Sequence, residues 1–202
     1  MKINNPDVAK KIDSGERIKI NLGCGAHPKP GYVSLDHANL PGIDVTADLN
    51  APLDLFPDNS VDAIYTRHVL EHVDELLPLL KEMHRITCKD GVIEVIVPHF
   101  SNPYYYSDPT HVNFFGLYTM FYFVDPEDQP TLRKVPAFYS DVRFKIDRIS
   151  IEFYRNNLID RVIGSVLKRL LKKNLYLQDL YERRFCRLYP ASQIRYLMRP
   201  VK

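Results

Sequence analysis

Ile20-Asn21-Leu22-Gly23-Cys24-Gly25-Ala26-His27-Pro28 is a short apolar strand that runs directly into Gly-x-Gly. Glycines at 23 and 25 remove the Cβ atoms that would keep a ligand from the backbone, and they permit angles closed to other residues. A G-x-G alone is a weak signal. It gains force from Tyr32 to Leu35, a second apolar run that ends in Asp36. An acid at the tip of the second strand of an open α/β sheet is placed to accept hydrogen bonds from ribose hydroxyls.

The rest of the chain extends this pattern. Residues 6–14 suit a short helix, and Arg17 to Leu22 the first strand. Pro28, Lys29, Pro30 and Gly31 exclude a regular crossover helix after the turn. A third strand is expected at Ile43 to Thr46, delivering Asp48 and Leu49 to its end, and a fourth at Val61 to Thr66 after the Pro57–Ser60 turn. Asp74 then reads as the N-cap of a helix whose apolar positions are Leu76, Leu77, Leu80, Met83, His84 and Ile86, stopped by Lys89, Asp90 and Gly91. Val92 to Val97 is β-branched and short, as a central buried strand should be, and Pro98 closes it. Phe and Tyr crowd residues 99–123, which suits a pocket wall. Phe144 to Tyr154 alternates as a long strand, residues 157–174 turn helical, and Gln193 to Met198 forms the last strand.

A chain of 202 residues that is 45% hydrophobic fits one domain, 1–202. The net charge of +2 carries no nucleic-acid signature. Cys24, Cys88 and Cys186 are odd in number and widely spaced, which argues against a disulfide framework or a zinc ribbon and for a reducing cytoplasm. No signal-peptide core or membrane-spanning run is expected.

The L-G-C-G turn, the Asp48-Leu49 pair and the His68-Val69-Leu70-Glu71-His72 string together resemble the class I S-adenosylmethionine-dependent methyltransferases, over about residues 18–123. The resemblance implies a Rossmann-like, doubly wound α/β fold. Its sheet would be mostly parallel and seven-stranded, with an antiparallel edge strand and a C-terminal helical insertion at 156–184. Residues 17–98 would form the cofactor half and 99–202 the acceptor half. S-adenosylmethionine would be held by Gly23, Cys24 and Gly25 at the methionine part, Asp36 at the ribose, Asp48 and Leu49 at the adenine, and Arg67 and His68 after the fourth strand. Two departures stand out. Asn21 occupies the place of an acid common in relatives, and no third glycine comes before Gly31. The expected activity is O-methylation of a small molecule or saccharide.

Methyl transfer from a sulfonium needs alignment and, for a protonated acceptor, a base. His111, with Asp108 close enough to orient it, is the candidate; the plainer reading makes Asp108 a helix cap and His111 a first-turn residue. Tyr104, Tyr105 and Tyr106 either line the acceptor pocket or pack on the sheet. His68, Glu71 and His72 also spell H-x-x-E-H, so a metal-dependent hydrolase is a rival, with His84, His99 or His111 as third ligand. The same letters fall where the methyltransferase signature places them, and no metal is expected. A fold relative that binds cofactor without turnover is the third class. Thr66-Arg67-His68-Val69 stands where base-modifying enzymes carry N-P-P-Y, which argues against a nucleic-acid substrate.

Helix 157–174 carries Leu158, Ile159, Val162, Ile163, Val166, Leu167, Leu170 and Leu171 as an apolar stripe, with Arg161, Lys168, Arg169, Lys172 and Lys173 opposite. Packing on the sheet or pairing in a homodimer is the favoured reading. Peripheral contact with an anionic membrane is the alternative.

Overall fold

A computed structural model describes residues 1–202. Its elements in chain order are β1 (Lys2–Ile3), α1 (Pro6–Asp13), β2 (Ile18–Leu22), β3 (Val33–Asp36), β4 (Val45–Thr46), β5 (Val61–Arg67), α2 (Leu76–Ile86), β6 (Thr87–Pro98), β7 (Arg143–Glu152), α3 (Leu158–Leu171), α4 (Leu175–Arg184) and β8 (Gln193–Val201). The strands form one sheet in the order β1-β4-β3-β2-β5-β6-β8-β7. From β4 to β6 every pair is parallel. β8 runs antiparallel between β6 and the edge strand β7. The sheet is a Rossmann-like α/β architecture with eight strands, where seven were expected. The additional one is the two-residue β1, which pairs antiparallel with β4 through Lys2–Thr46 and Ile3–Val45 and is too short to show a period in sequence.

The chain moves outward from β2 through β3 to β4 and returns to β5 on the other side of β2. That reversal opens a crevice between the carboxyl ends of β2 and β5, where open α/β sheets bind ligands. No helix connects β2 to β3, as the prolines predict. The β4–β5 connection also lacks a helix, and Leu53 and Phe56, both fully buried, fill the space. Arg85 of α2 pins that loop by donating to the Leu53 carbonyl at 3.1 Å and the Phe56 carbonyl at 2.9 Å, while pairing with Glu82 at 2.8 Å. Ile20, Leu22, Leu35, Ile64, Ile93 and Val95 are essentially inaccessible in the central strands. Burying each such side chain contributes about 1.5–3 kcal/mol.

Three expectations are corrected. Glu75, not Asp74, is the cap residue of α2, and the first amides there are taken up by the remote Asn50, whose Oδ1 accepts from Asp74 N at 3.0 Å and Glu75 N at 3.3 Å. The helix ends at Ile86, with Thr87 Oγ1 donating to the Met83 carbonyl at 2.6 Å; Lys89, Asp90 and Gly91 lie inside β6, at a bulge between the Val61–Thr87 and Ala63–Val92 pairs. Most of the apolar stripe of α3 faces away from the sheet, and only Leu167 and Leu171 reach the core. Leu158, Ile159, Val162 and Val166 are 74%, 68%, 56% and 54% exposed, because the helix lies on the body through its Gly164 and Leu171 edge.

Candidate functional site

The glycine turn sits at the crevice, and its hydrogen bonds show what holds it. Gly23 N and Cys24 N both donate to the Leu35 carbonyl, at 2.7 and 3.2 Å. Gly25 N donates to Asp36 Oδ2 at 2.7 Å, and Ala38 N to Asp36 Oδ1 at 2.9 Å. The backbone N–H of Cys24, expected to face the ligand, is therefore spent within the fold. Asp36 staples the turn as well as facing the cleft. Gly23 and Gly25 have φ of 66° and 51°, in the left-handed region. A Cβ on Gly23 would lie 2.3 Å from Val69 Cγ2, whereas one on Gly25 would meet nothing within 4 Å. Gly23 is thus required by packing against the turn after β5, and Gly25 opens to the crevice. Burial pushes the Cys24 thiol pKa up, which keeps the sulfur protonated.

Two adjoining cavities make up the cleft. One, of about 690 Å³, is bordered by Asn21, Lys29, Tyr65 and Arg67; the other, of about 560 Å³, by Asp36, Asp48, Leu49 and His72. Gly23, Gly25 and His68 border both. All of the expected cofactor residues, Gly23, Cys24, Gly25, Asp36, Asp48, Leu49, Arg67 and His68, thereby meet around one cleft. His68 has φ of 56°, a rare state for a non-glycine residue that reverses the chain as it leaves β5. Arg67 has no ion pair within the chain. The donor set fits S-adenosylmethionine: carboxylates for the ribose and adenine side, and an unpaired guanidinium with Lys29 for the carboxylate of the methionine side. The ammonium of Lys29 lies 3.7 Å from the centre of the Tyr65 ring.

Sequence reading missed His27, Lys29, His37, Asn50 and Tyr65 as cleft residues. The Pro28-Lys29-Pro30 segment was a signal for the first two, since a loop without a helix must lie across the crevice.

His111 lines neither cavity and packs behind His72, with the two ring centres 4.6 Å apart. Its side chain is 10% exposed, its Nε2 lies 3.7 Å from Asp108 Oδ2, and its Nδ1 donates to the Tyr105 carbonyl at 2.8 Å. No helix follows Asp108; instead its carboxylate accepts from Thr110 N and Thr110 Oγ1, at 2.9 and 2.6 Å. The three tyrosines divide. Tyr105 is buried, with its hydroxyl on the Asn113 carbonyl, while Tyr104 and Tyr106 are exposed. The H-x-x-E-H string does not form a helix face, because His68 is left-handed and Leu70–His72 is one 3₁₀ turn. Of the other expected third ligands, His99 Nε2 is paired with Glu182 at 3.0 Å and His84 Nε2 with the Val201 carbonyl at 2.8 Å.

Residues 21–95 match the family model described as a methyltransferase domain. No curated protein matches the chain. Solved structures that resemble it include a S-adenosylmethionine-dependent methyltransferase from Archaeoglobus fulgidus, at 18% identity over 96% of this chain and 91% of that one with a TM-score of 0.49. Another is the YcgJ protein from Bacillus subtilis, at 14% identity over 98% of each chain with a TM-score of 0.49. Residues 21–95 span β2 to most of β6, the elements that build the cleft. This stretch therefore resembles a methyltransferase domain.

Proposed function

We propose, starting from that resemblance, that the chain transfers the methyl group of S-adenosylmethionine to an oxygen of a small molecule or saccharide. The carrying observation is the polarity of the cleft, with Asp36 and Asp48 at one end, Arg67 at the other, and Gly23, Gly25 and His68 between them. In this reading residues 17–98 hold the cofactor and residues 99–202 receive the acceptor. The acceptor oxygen attacks the methyl carbon in line; an O–C bond forms, the C–S bond breaks, and its electron pair leaves on sulfur. Alignment supplies a large share of the rate. The acceptor proton goes to Nε2 of His111, whose Nδ1 proton is already committed to the Tyr105 carbonyl.

Calorimetric titration with S-adenosylhomocysteine tests the cofactor assignment without an acceptor. Saturable one-site binding at micromolar level, about −8 kcal/mol, is expected for the wild type. Asp36→Ala should lose most of it, and unchanged affinity in that variant would remove the ribose assignment.

One surface favours an amphiphilic acceptor presented at the cytoplasmic face of an anionic membrane. The exposed stripe of α3 begins beside Tyr104, which shares a small cavity with Tyr154, Asp160 and Tyr189. On its other side, Lys168, Arg169 and Lys172 join Arg155 around a cavity of about 310 Å³ with a single acid, Glu152. Apolar anchors beside cations suit a lipid surface. Acidic replacement of Lys168, Arg169, Lys172 and Lys173 should abolish sedimentation with anionic vesicles; persistence of binding would remove the membrane reading, and a concentration-dependent dimer would assign the stripe to a second copy.

A further inference from the structure

The turn after β5 buries a carboxylate that nothing pairs. Glu71 is 0% exposed, and neither Oε1 nor Oε2 has a hydrogen-bond partner. Removing an ionised carboxylate from water costs several kcal/mol unless an opposite charge meets it. The nearest group is His68, whose Nδ1 lies 3.4 Å from Glu71 Oε1. Its Nε2, however, faces Gln193 Oε1 at 3.1 Å, and the Gln193 amide is oriented by its own donation to Glu152 Oε2 at 2.6 Å. Neutral His68 therefore holds its proton on Nε2 and turns a lone pair toward Glu71.

Two more imidazoles close around the same carboxylate. One donor atom from each of Glu71, His72 and His111 lies within 4.8 Å of the other two. His111 Nδ1 faces a carbonyl, which can only accept. His72 Nδ1 faces Thr110 Oγ1 at 2.8 Å, and that hydroxyl already gives its proton to Asp108 Oδ1. Both Nδ1 atoms must then be donors, so each neutral ring keeps a lone pair on Nε2. Backbone bonds hold the arrangement together: Val112 N and Asn113 N donate to the Glu71 carbonyl at 2.8 and 3.2 Å, and the Asn113 amide donates to the Leu70 and Val73 carbonyls. Imidazoles fixed by hydrogen bonds on one nitrogen, with the other free beside a carboxylate, are how proteins hold a divalent metal.

We propose that Glu71, His72 and His111 bind one divalent transition-metal cation of the Zn²⁺ or Mn²⁺ type at the edge of the cofactor cleft, which His72 borders. Two imidazoles favour such a cation over Mg²⁺ or Ca²⁺. Binding of the cation stands independently of the methyltransferase reading; its role in transfer rests on that reading. There a bound cation would hold the acceptor hydroxyl and lower its pKa, its proton passing to solvent water, and His111 would act as ligand in place of the base role it has in the metal-free site.

The test uses the full chain, stripped with a chelator and titrated with Co²⁺ under visible absorption and with Zn²⁺ in a calorimeter. One cation per chain is expected, with ligand-field bands for Co²⁺. Glu71→Gln, which preserves volume, and His111→Ala should each weaken binding at least tenfold while retaining the wild-type circular dichroism and affinity for S-adenosylhomocysteine. Absence of Co²⁺ binding by folded wild type would overturn the site and leave His111 as base. Equal binding by wild type and both variants would overturn it too. A chain that binds Co²⁺ at these residues but not S-adenosylhomocysteine keeps the metal site and discards the methyltransferase reading.

Discussion

The molecule holds two glutamate–histidine clusters, one around the buried His99 and one around the buried Glu71, and they differ in how their donors and acceptors match. In the cluster that joins β6 to α4, His99 is 0% exposed, its Nδ1 accepts from Ser101 N at 3.1 Å, and its Nε2 donates to Glu182 Oε1 at 3.0 Å. The same Glu182 oxygen takes Leu117 N at 2.5 Å. In the cluster after β5, Glu71 has both oxygens bare, and the unprotonated nitrogens of His72 and His111 are left over. A closed set of donors and acceptors is a structural rivet. An excess of electron pairs without protons is a site awaiting a positive charge.

The largest expected effect tests the first half of that contrast. Glu182→Ala leaves His99 Nε2 and Leu117 N without an acceptor in the interior, so about 3 kcal/mol of unfolding free energy should be lost. Denaturant titration measures it. Co²⁺ affinity should stay at the wild-type value in that variant, and a loss below about 1 kcal/mol would mean that the rivet is not one.

Thr110→Val probes the second half more gently. The hydroxyl touches no proposed ligand atom except His72 Nδ1, yet it sets which nitrogen of that ring carries the proton. Removing such a support typically costs roughly 10–100-fold in metal affinity. An unchanged Co²⁺ isotherm would show that Thr110 does not position His72.

What was legible in sequence follows local physics. Gly23, Gly25 and Asp36 were readable because a turn and a strand tip are set by neighbouring residues, and the succession of the longer strands along the chain followed from short apolar runs. His68, Glu71 and His72 were visible as letters, but their geometry was not. The left-handed φ of His68 and the 3₁₀ turn beyond it break the helical spacing that the string suggests. The meeting of His111 with Glu71 depends on backbone bonds from Val112 and Asn113 across the sheet edge, a contact without periodic signature. On α3 the stripe was legible and its direction was not, since the residues that meet the body are Gly164 and Leu171, a contact too narrow to register as amphipathic.

The unpaired charge also has a thermodynamic mark in chelated protein. With no cation, Glu71 is a burden, and Glu71→Gln should raise the unfolding free energy by about 1 kcal/mol by relieving desolvation. The sign is the informative part. A loss of stability would mean that Glu71 has a partner in solution, and the contrast with Glu182 would collapse.

A histidine outside both clusters sharpens the comparison at its smallest scale. His84 has one committed nitrogen, Nε2 on the Val201 carbonyl at 2.8 Å, and packs edge-on against Phe144, with no carboxylate in contact. Burial holds its pKa below the ordinary value of 6.5, although the Val201 carbonyl acts in the opposite direction. The folded state therefore binds a proton less readily than the unfolded chain. His84 contributes stability that is present above pH 6.5 and is lost as pH falls through the depressed folded value. His84→Gln, which retains an N–H for the carbonyl, should flatten the decline of the melting temperature across that window and leave it unchanged at pH 8. A decline as steep as that of the wild type would assign the titration to a different group.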